Sequence, residues 1–229
     1  MILGIKSGEG ILTQKKYSAG LMSQSFWFIE FKKVLPMVME GKAQDEIKKY
    51  CIEQNIFGAV NANRSRRVTN YITNRAIALD ETELKLFQDS DLSTQKIINL
   101  IAIMRTDRLL SEFVYEVYRT RKILGFSEIT AADIKQFFRD KELQEPLIEG
   151  WIDSTKKRLS GCYFNFLTEA GLLTTDGKRH IITPPLLDIS LERYLEVKGE
   201  TAMIKALTGN IEPVQPSDRV LSLSVKVVS

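Results

Sequence analysis

Apolar residues recur every three to four positions along most of this chain, a spacing that predicts helices separated by short breakers. Phe26, Trp27, Ile29, Phe31 and Val34 mark the first helix, with Ser23 and Ser25 available as caps and Pro36 placed to kink or stop it. Gly41 closes that segment. Asp45 opens a short helix through EIKKYCIEQ, with Ile47, Tyr50 and Cys51 on one side. After the loop NIFGAVNA, Val68, Ile72, Ala76 and Leu79 form an apolar arc on a third helix. From Thr94 to Leu124 the pattern predicts one long helix whose first half is apolar almost all round, as suits a central buried position. Gly125 ends this half.

The second half opens on Thr130, which caps AADIKQFFRDK with Asp133 at the third helical position, close to a capping box. After Pro146, a helix starting at Ser154 or Thr155 puts Leu159, Tyr163, Phe166, Leu167 and Ala170 on one face. Lys157, Arg158, Gly161 and Asn165 share the opposite face, and Gly171 terminates the helix. Leu172 to Thr175 and Lys178 to Thr183 flank Asp176-Gly177, a hairpin signal. Helical pattern returns at Ser190 to Val197 and at Glu200 to Leu207, on either side of Gly199. Residues 1 to 16 read as a poorly specified arm with a short strand at Met1 to Ile5, and the tail from Gly209 ends in the strand-like run VLSLSVKVV. The expectation is an all-α protein of two small helical domains, residues 1–125 and 126–229. The second carries a segment over 130–184 in the order of a winged helix-turn-helix.

Composition bounds the function. With 229 residues, 44% of them apolar and 27% charged, the chain has the content of a globular protein with a real core. A net charge of +3 is too mild to argue for a polyanion partner, so that case rests on local clustering. The stretch NRSRRVTNYITNRAIAL, Asn63 to Leu79, supplies it: Arg64, Arg66, Arg67 and Arg75 lie there, and no acidic residue falls between Glu53 and Asp80. At about 100° per residue, Arg64, Arg67, Tyr71 and Arg75 fall within about 80° of one another. Such an edge matches a row of phosphates, although arginines stretched along a core rim give the same pattern. Lys156, Lys157, Arg158, Lys178 and Arg179 form a second candidate surface, with the helix from Ser154 placed to enter a major groove and the hairpin, including His180, as the wing. The alternative there is a winged helix used only for packing or protein contacts. Asn70 and Asn165 are the candidates for reading base edges.

Catalytic constellations are missing. The single histidine, His180, sits on the hairpin, and no Walker loop, GxGxxG or HExxH occurs. Cys51 and Cys162 are distant, apolar in setting and read as reduced core residues, so no metal or other cofactor is expected, and no small-molecule substrate. Arg105, Asp107 and Arg108 read as a buried ion cluster that holds helices in register, in preference to a catalytic role, with Arg108 pairing to Glu112 at i,i+4. The run Ile97 to Met104 is too short to span a membrane and is broken by Asn99, and the N-terminus lacks a signal-peptide pattern. A cytoplasmic, non-enzymatic binding protein with no membrane partner is the expectation.

YSAGLMSQSFWFIEFKKV at Tyr17 to Val34, INLIAIMRTDRLLSEFVYEVY at Ile98 to Tyr118, and WIDSTKKRLSGCYFNFLTEAGLL at Trp151 to Leu173 resemble the BrxA family. Its members are small accessory proteins of BREX bacteriophage-resistance systems. The resemblance runs from about Tyr17 to Leu207 and implies an all-α fold similar to the antitermination factor NusB. It also implies DNA binding without catalysis, beside other BREX proteins that include a methyltransferase and ATPase-containing partners. RTDRL, Arg105 to Leu109, matches the family motif without a role beyond structure. No binding residues carry over. The reading is a double-stranded DNA-binding accessory protein that works mainly through phosphate contacts with low sequence specificity. An assembly adaptor within the defence complex and an RNA-binding protein of NusB type are the alternatives.

Overall fold

The computed structural model describes residues 15–209. The strand readings at Met1 to Ile5 and in VLSLSVKVV lie outside them. Helices dominate, and the all-α expectation holds.

The first half of the chain folds as α1 (Phe28–Met39), α2 (Gln44–Glu53), α3 (Ala62–Ala76), α4 (Glu81–Asp89) and α5 (Leu92–Thr106). It continues as α6 (Arg108–Phe113), which passes through a π turn at Val114–Tyr118 into α7 (Arg119–Ile123). Local caps set several of these starts. Asn61 accepts from the Arg64 N–H at 2.8 Å, Asp91 from the Thr94 N–H at 2.8 Å, and Asp80 forms a capping box with Glu83. The start of α1 departs from the expectation. Ser23 instead closes a 3₁₀ turn, Gly20–Ser23, by donating to the Gly20 carbonyl at 2.9 Å. Trp27 takes a left-handed φ of 48° just before α1 begins. Pro36 lies inside α1, which runs on to Met39 before Gly41, at φ 73°, turns the chain.

The long helix expected from Thr94 to Leu124 is broken at Asp107. This residue is extended (φ −129°, ψ 108°) and its carboxylate accepts from the Leu110 N–H at 2.9 Å, so it starts a second helix. The apolar pattern runs through the break, but a short acidic side chain gains more as a cap than inside a helix. Residues Ile97 to Met104 of α5 are buried on every side, as the pattern requires.

In the second half, β1 (Glu128–Ile129) precedes α8 (Ala131–Gln144), α9 (Pro146–Glu149), α10 (Asp153–Glu169), and the hairpin β2 (Leu173–Asp176) and β3 (Arg179–Ile182). The sheet order is β1-β3-β2, all antiparallel, with Ile129 opposite His180 and Asp176 opposite Arg179. Gly177, at φ 59°, and Lys178 make the tip, one residue later than the Asp176-Gly177 reading. The Thr130–Asp133 capping box is present on α8.

Two last helices, α11 (Ile189–Val197) and α12 (Thr201–Thr208), turn on Gly199. They return to the first half, where α12 lies on the π turn and α7. Tyr194 donates to Asp80 at 2.6 Å, Lys198 bonds Asp80 at 2.8 Å, and Arg105 bridges Glu83 and Glu200. One cluster of buried side chains runs through both halves, from Tyr17 to Leu207.

Candidate nucleic-acid interface

Val68, Ile72 and Ala76 sink one face of α3 into the core and leave the opposite face of its N-terminal half in solvent. Arg64, Arg66 and Arg67 are exposed there, and none has a side-chain hydrogen bond or ion pair among the described residues. Arg66 points about 100° away from Arg67 around the helix, so it widens the basic surface beyond a single stripe. The first turn holds no acidic residue, and Arg64 lies in it, where the positive end of the helix dipole adds to the attraction for an anion. Asn70 is exposed beside them. Tyr71 is half-buried, 6.2 Å from Trp27 ring to ring, with its hydroxyl 3.2 Å from Ser23 Oγ.

Arg75 corrects the expectation. It is 1% exposed and cannot reach a phosphate. Its guanidinium donates to the carbonyls of Phe26 at 2.8 Å and Ser25 at 2.9 Å and to Gln24 Oε1 at 2.8 Å, fixing the turn that leads into α1. The rings of Trp27 and Phe166 stand 5.4 and 5.9 Å from it. Burial pushes its pKa down to about 9. Of the arginines in this helix, Arg75 stands angularly nearest to Val68 and Ile72, so packing draws it inward.

On the second surface, Lys157, Arg158 and Asn165 are exposed on the outer face of α10, and Lys178 is exposed at the hairpin tip. None has a side-chain partner among the described residues. Two nominated cations are already neutralised. Lys156 is mostly buried against Glu142, with Asp153 at 3.9 Å, and Arg179 bonds Glu128 at 2.8 Å. His180 packs flat on Phe164 at 3.5 Å between ring centres, tying the hairpin to α10. The 3₁₀ turn Gly20–Ser23 lies against α10 and touches Tyr71 of α3, so one short segment abuts both basic helices.

Lys135 and Arg139 on α8 are further exposed cations without partners among the described residues. They sit beside Lys157 on the rim of a groove between α8 and α10. Their i,i+4 spacing was visible in AADIKQFFRDK, but nothing local distinguishes it from an ordinary solvated face.

The conspicuous ion cluster is structural. Arg105, 8% exposed, lies between Glu83 and Glu200 and donates to the Ala78 carbonyl at 2.9 Å, while Arg108 bonds Glu112 at 2.7 Å. Burial pushes the Asp107 carboxyl up to about 6, against the opposing pull of its bonds to the Leu110 and Leu109 N–H groups. Cys51 and Cys162 are free thiols. Among the described residues no group of His, Cys, Asp and Glu is placed to hold a metal, and no helix is long and apolar enough to cross a membrane.

The sequence model of the BrxA family matches residues 15–199, a span that contains every residue of both basic surfaces. This chain belongs to the BrxA family. Its relatives include a BREX protein BrxA from Bacillus cereus, 29% identical over 199 residues, which covers 87% of this chain and 100% of the relative. A BREX protein BrxA from Paramagnetospirillum magneticum is 21% identical over 202 residues, with 87% and 100% covered. A crystal structure of an uncharacterized protein from Magnetospirillum magneticum has the same fold, with a TM-score of 0.74 at 20% identity, covering 86% of this chain and 100% of that one. As a BrxA-family member, the chain is a BREX-system protein.

Proposed function

We propose that this BrxA-family chain is a cytoplasmic, non-catalytic accessory protein of its BREX system that binds double-stranded DNA, mainly through phosphate contacts. One observation carries the reading: Arg64, Arg66 and Arg67 on α3, and Lys157, Arg158 and Lys178 on α10 and its hairpin, are exposed cations with no acidic partner among the described residues. Lys156 and Arg179, by contrast, are held by carboxylates. Unpaired cations are free to replace the counterions of a duplex, and the released ions supply the affinity. The planar arginine fork grips phosphate oxygens in pairs, which suits Arg64, Arg67 and Arg158 to this work.

The element order α8, α10, β2, β3, with β1 on the far side of β3, supports a winged helix-turn-helix mode. In it α10 lies in the major groove and Lys178 meets the backbone alongside. Asn165 is then the group facing base edges, with Asn70 in that role on α3. Two amides read little sequence, so specificity is low.

Competition between a labelled duplex and structured RNA in a gel-shift titration tests this reading. Duplex DNA is expected to be retained against an equal mass of RNA. Displacement by RNA would favour an RNA-binding protein of NusB type instead, and absence of any shift would sink both.

A further inference from the structure

The groove between α8 and α10 has a volume of about 560 Å³ and a chemistry that a DNA backbone does not match. Ile134, Phe138 and Phe164 contribute apolar surface to it, and His180 holds the Phe164 ring in place from behind. Lys135, Arg139 and Lys157 form its rim and have no carboxylate partner among the described residues. The acidic groups at the groove offer little to offset them: Glu142 is committed to Lys156, and Asp153 lies fully exposed at the start of α10. Leu143 and Ile152, next to Glu142 and Asp153 in the chain, are 83% and 69% exposed. A phosphate row gains nothing from such a floor, whereas a helix with one apolar face fills it. Lys135, Arg139 and Lys157 outnumber the exposed Asp153, and a rim with such an excess of one sign selects partners of the opposite sign.

We propose that this groove docks an acidic amphipathic helix of a partner protein, with apolar side chains against Phe138 and Phe164 and carboxylates on Lys135 and Arg139. The groove shares Lys157 with the surface proposed for DNA, but Lys135 and Arg139, which the test alters, lie outside that surface.

The test uses the full chain with a photo-crosslinking residue in place of Leu143, produced together with the other proteins of its BREX system and treated with nuclease before irradiation. The crosslinked peptide is expected to come from one of those proteins, to be rich in Asp and Glu, and to carry apolar residues at helical spacing. In the K135E/R139E variant the crosslink is expected to fall at least about tenfold, with duplex affinity and melting temperature kept. The proposal is overturned by a nucleic-acid adduct, by a basic or neutral peptide, by no crosslink at all, or by equal loss of crosslink and DNA affinity in the variant.

Discussion

α3 is sunk into the core along its length, with Ser65, Val68, Thr69, Ile72, Thr73, Arg75 and Ala76 all buried, whereas α10 buries only Leu159, Tyr163, Phe166 and Leu167 and runs into a hairpin with an exposed tip. Both helices carry clustered cations. In α3 the cations divide by position: Arg64, Arg66 and Arg67 stay in solvent, while Arg75 becomes a structural tie to the turn before α1. In α10 they divide by partner: Lys156 is paired, and Lys157 and Arg158 are left free. The α3 region therefore offers charge on a fixed wall, and the α10 region offers charge on a shape that fits a groove. A cation's contribution to binding depends on what it lacks nearby, and the count of arginines in a stretch says little about it.

Charge reversal of each surface in turn separates the two regions most strongly. K157E/R158E/K178E is expected to lower duplex affinity by about 100-fold or more, and R64E/R66E/R67E by about 10- to 100-fold, read by fluorescence anisotropy at one salt concentration. Equal and negligible losses would remove the distinction. Arg75→Met separates the buried arginine from the exposed ones. It leaves the Ser25 carbonyl and Gln24 without their donor, and it is expected to cost about 3 kcal/mol in denaturant unfolding while leaving the affinity of the folded fraction unchanged.

Asp107→Asn tests the buried cap at the start of α6. A carboxyl held at about 6 when folded binds more protons than its unfolded counterpart at 3.8, so its contribution to stability is full at low pH and is lost as pH rises through about 4 to 6. Asparagine keeps the cap on the Leu110 N–H and removes the buried charge. The variant is expected to be more stable than the parent by roughly 1–3 kcal/mol near neutral pH, and by little near pH 4, in melts across that range. Asn165→Ala is the smallest change: affinity should drop about fivefold, and any base preference of α10 should relax, in a comparison of duplexes of different sequence.

What the sequence made legible was local. The Thr130 capping box, the hairpin and the buried α5 all follow from residues a few positions apart. What stayed hidden depends on distant partners. Glu142 claims Lys156 from α8, Glu128 claims Arg179 from β1, and the carbonyls of Ser25 and Phe26 claim Arg75 from before α1. Arg75 lies at the border between the basic edge and the apolar arc of α3, where periodicity assigns it to either side. The break at Asp107 was hidden because apolar spacing continues through it and only the backbone there leaves the helix.

The most direct measurement is the affinity of the full chain for a labelled duplex as salt is raised. Six cations on the two surfaces, unpaired among the described residues, predict a linear fall of log affinity with log salt, with a slope of about −5, and a slope shallower by about three when either surface is neutralised. A slope near zero, or one unchanged by neutralising both surfaces, would contradict phosphate binding by this protein.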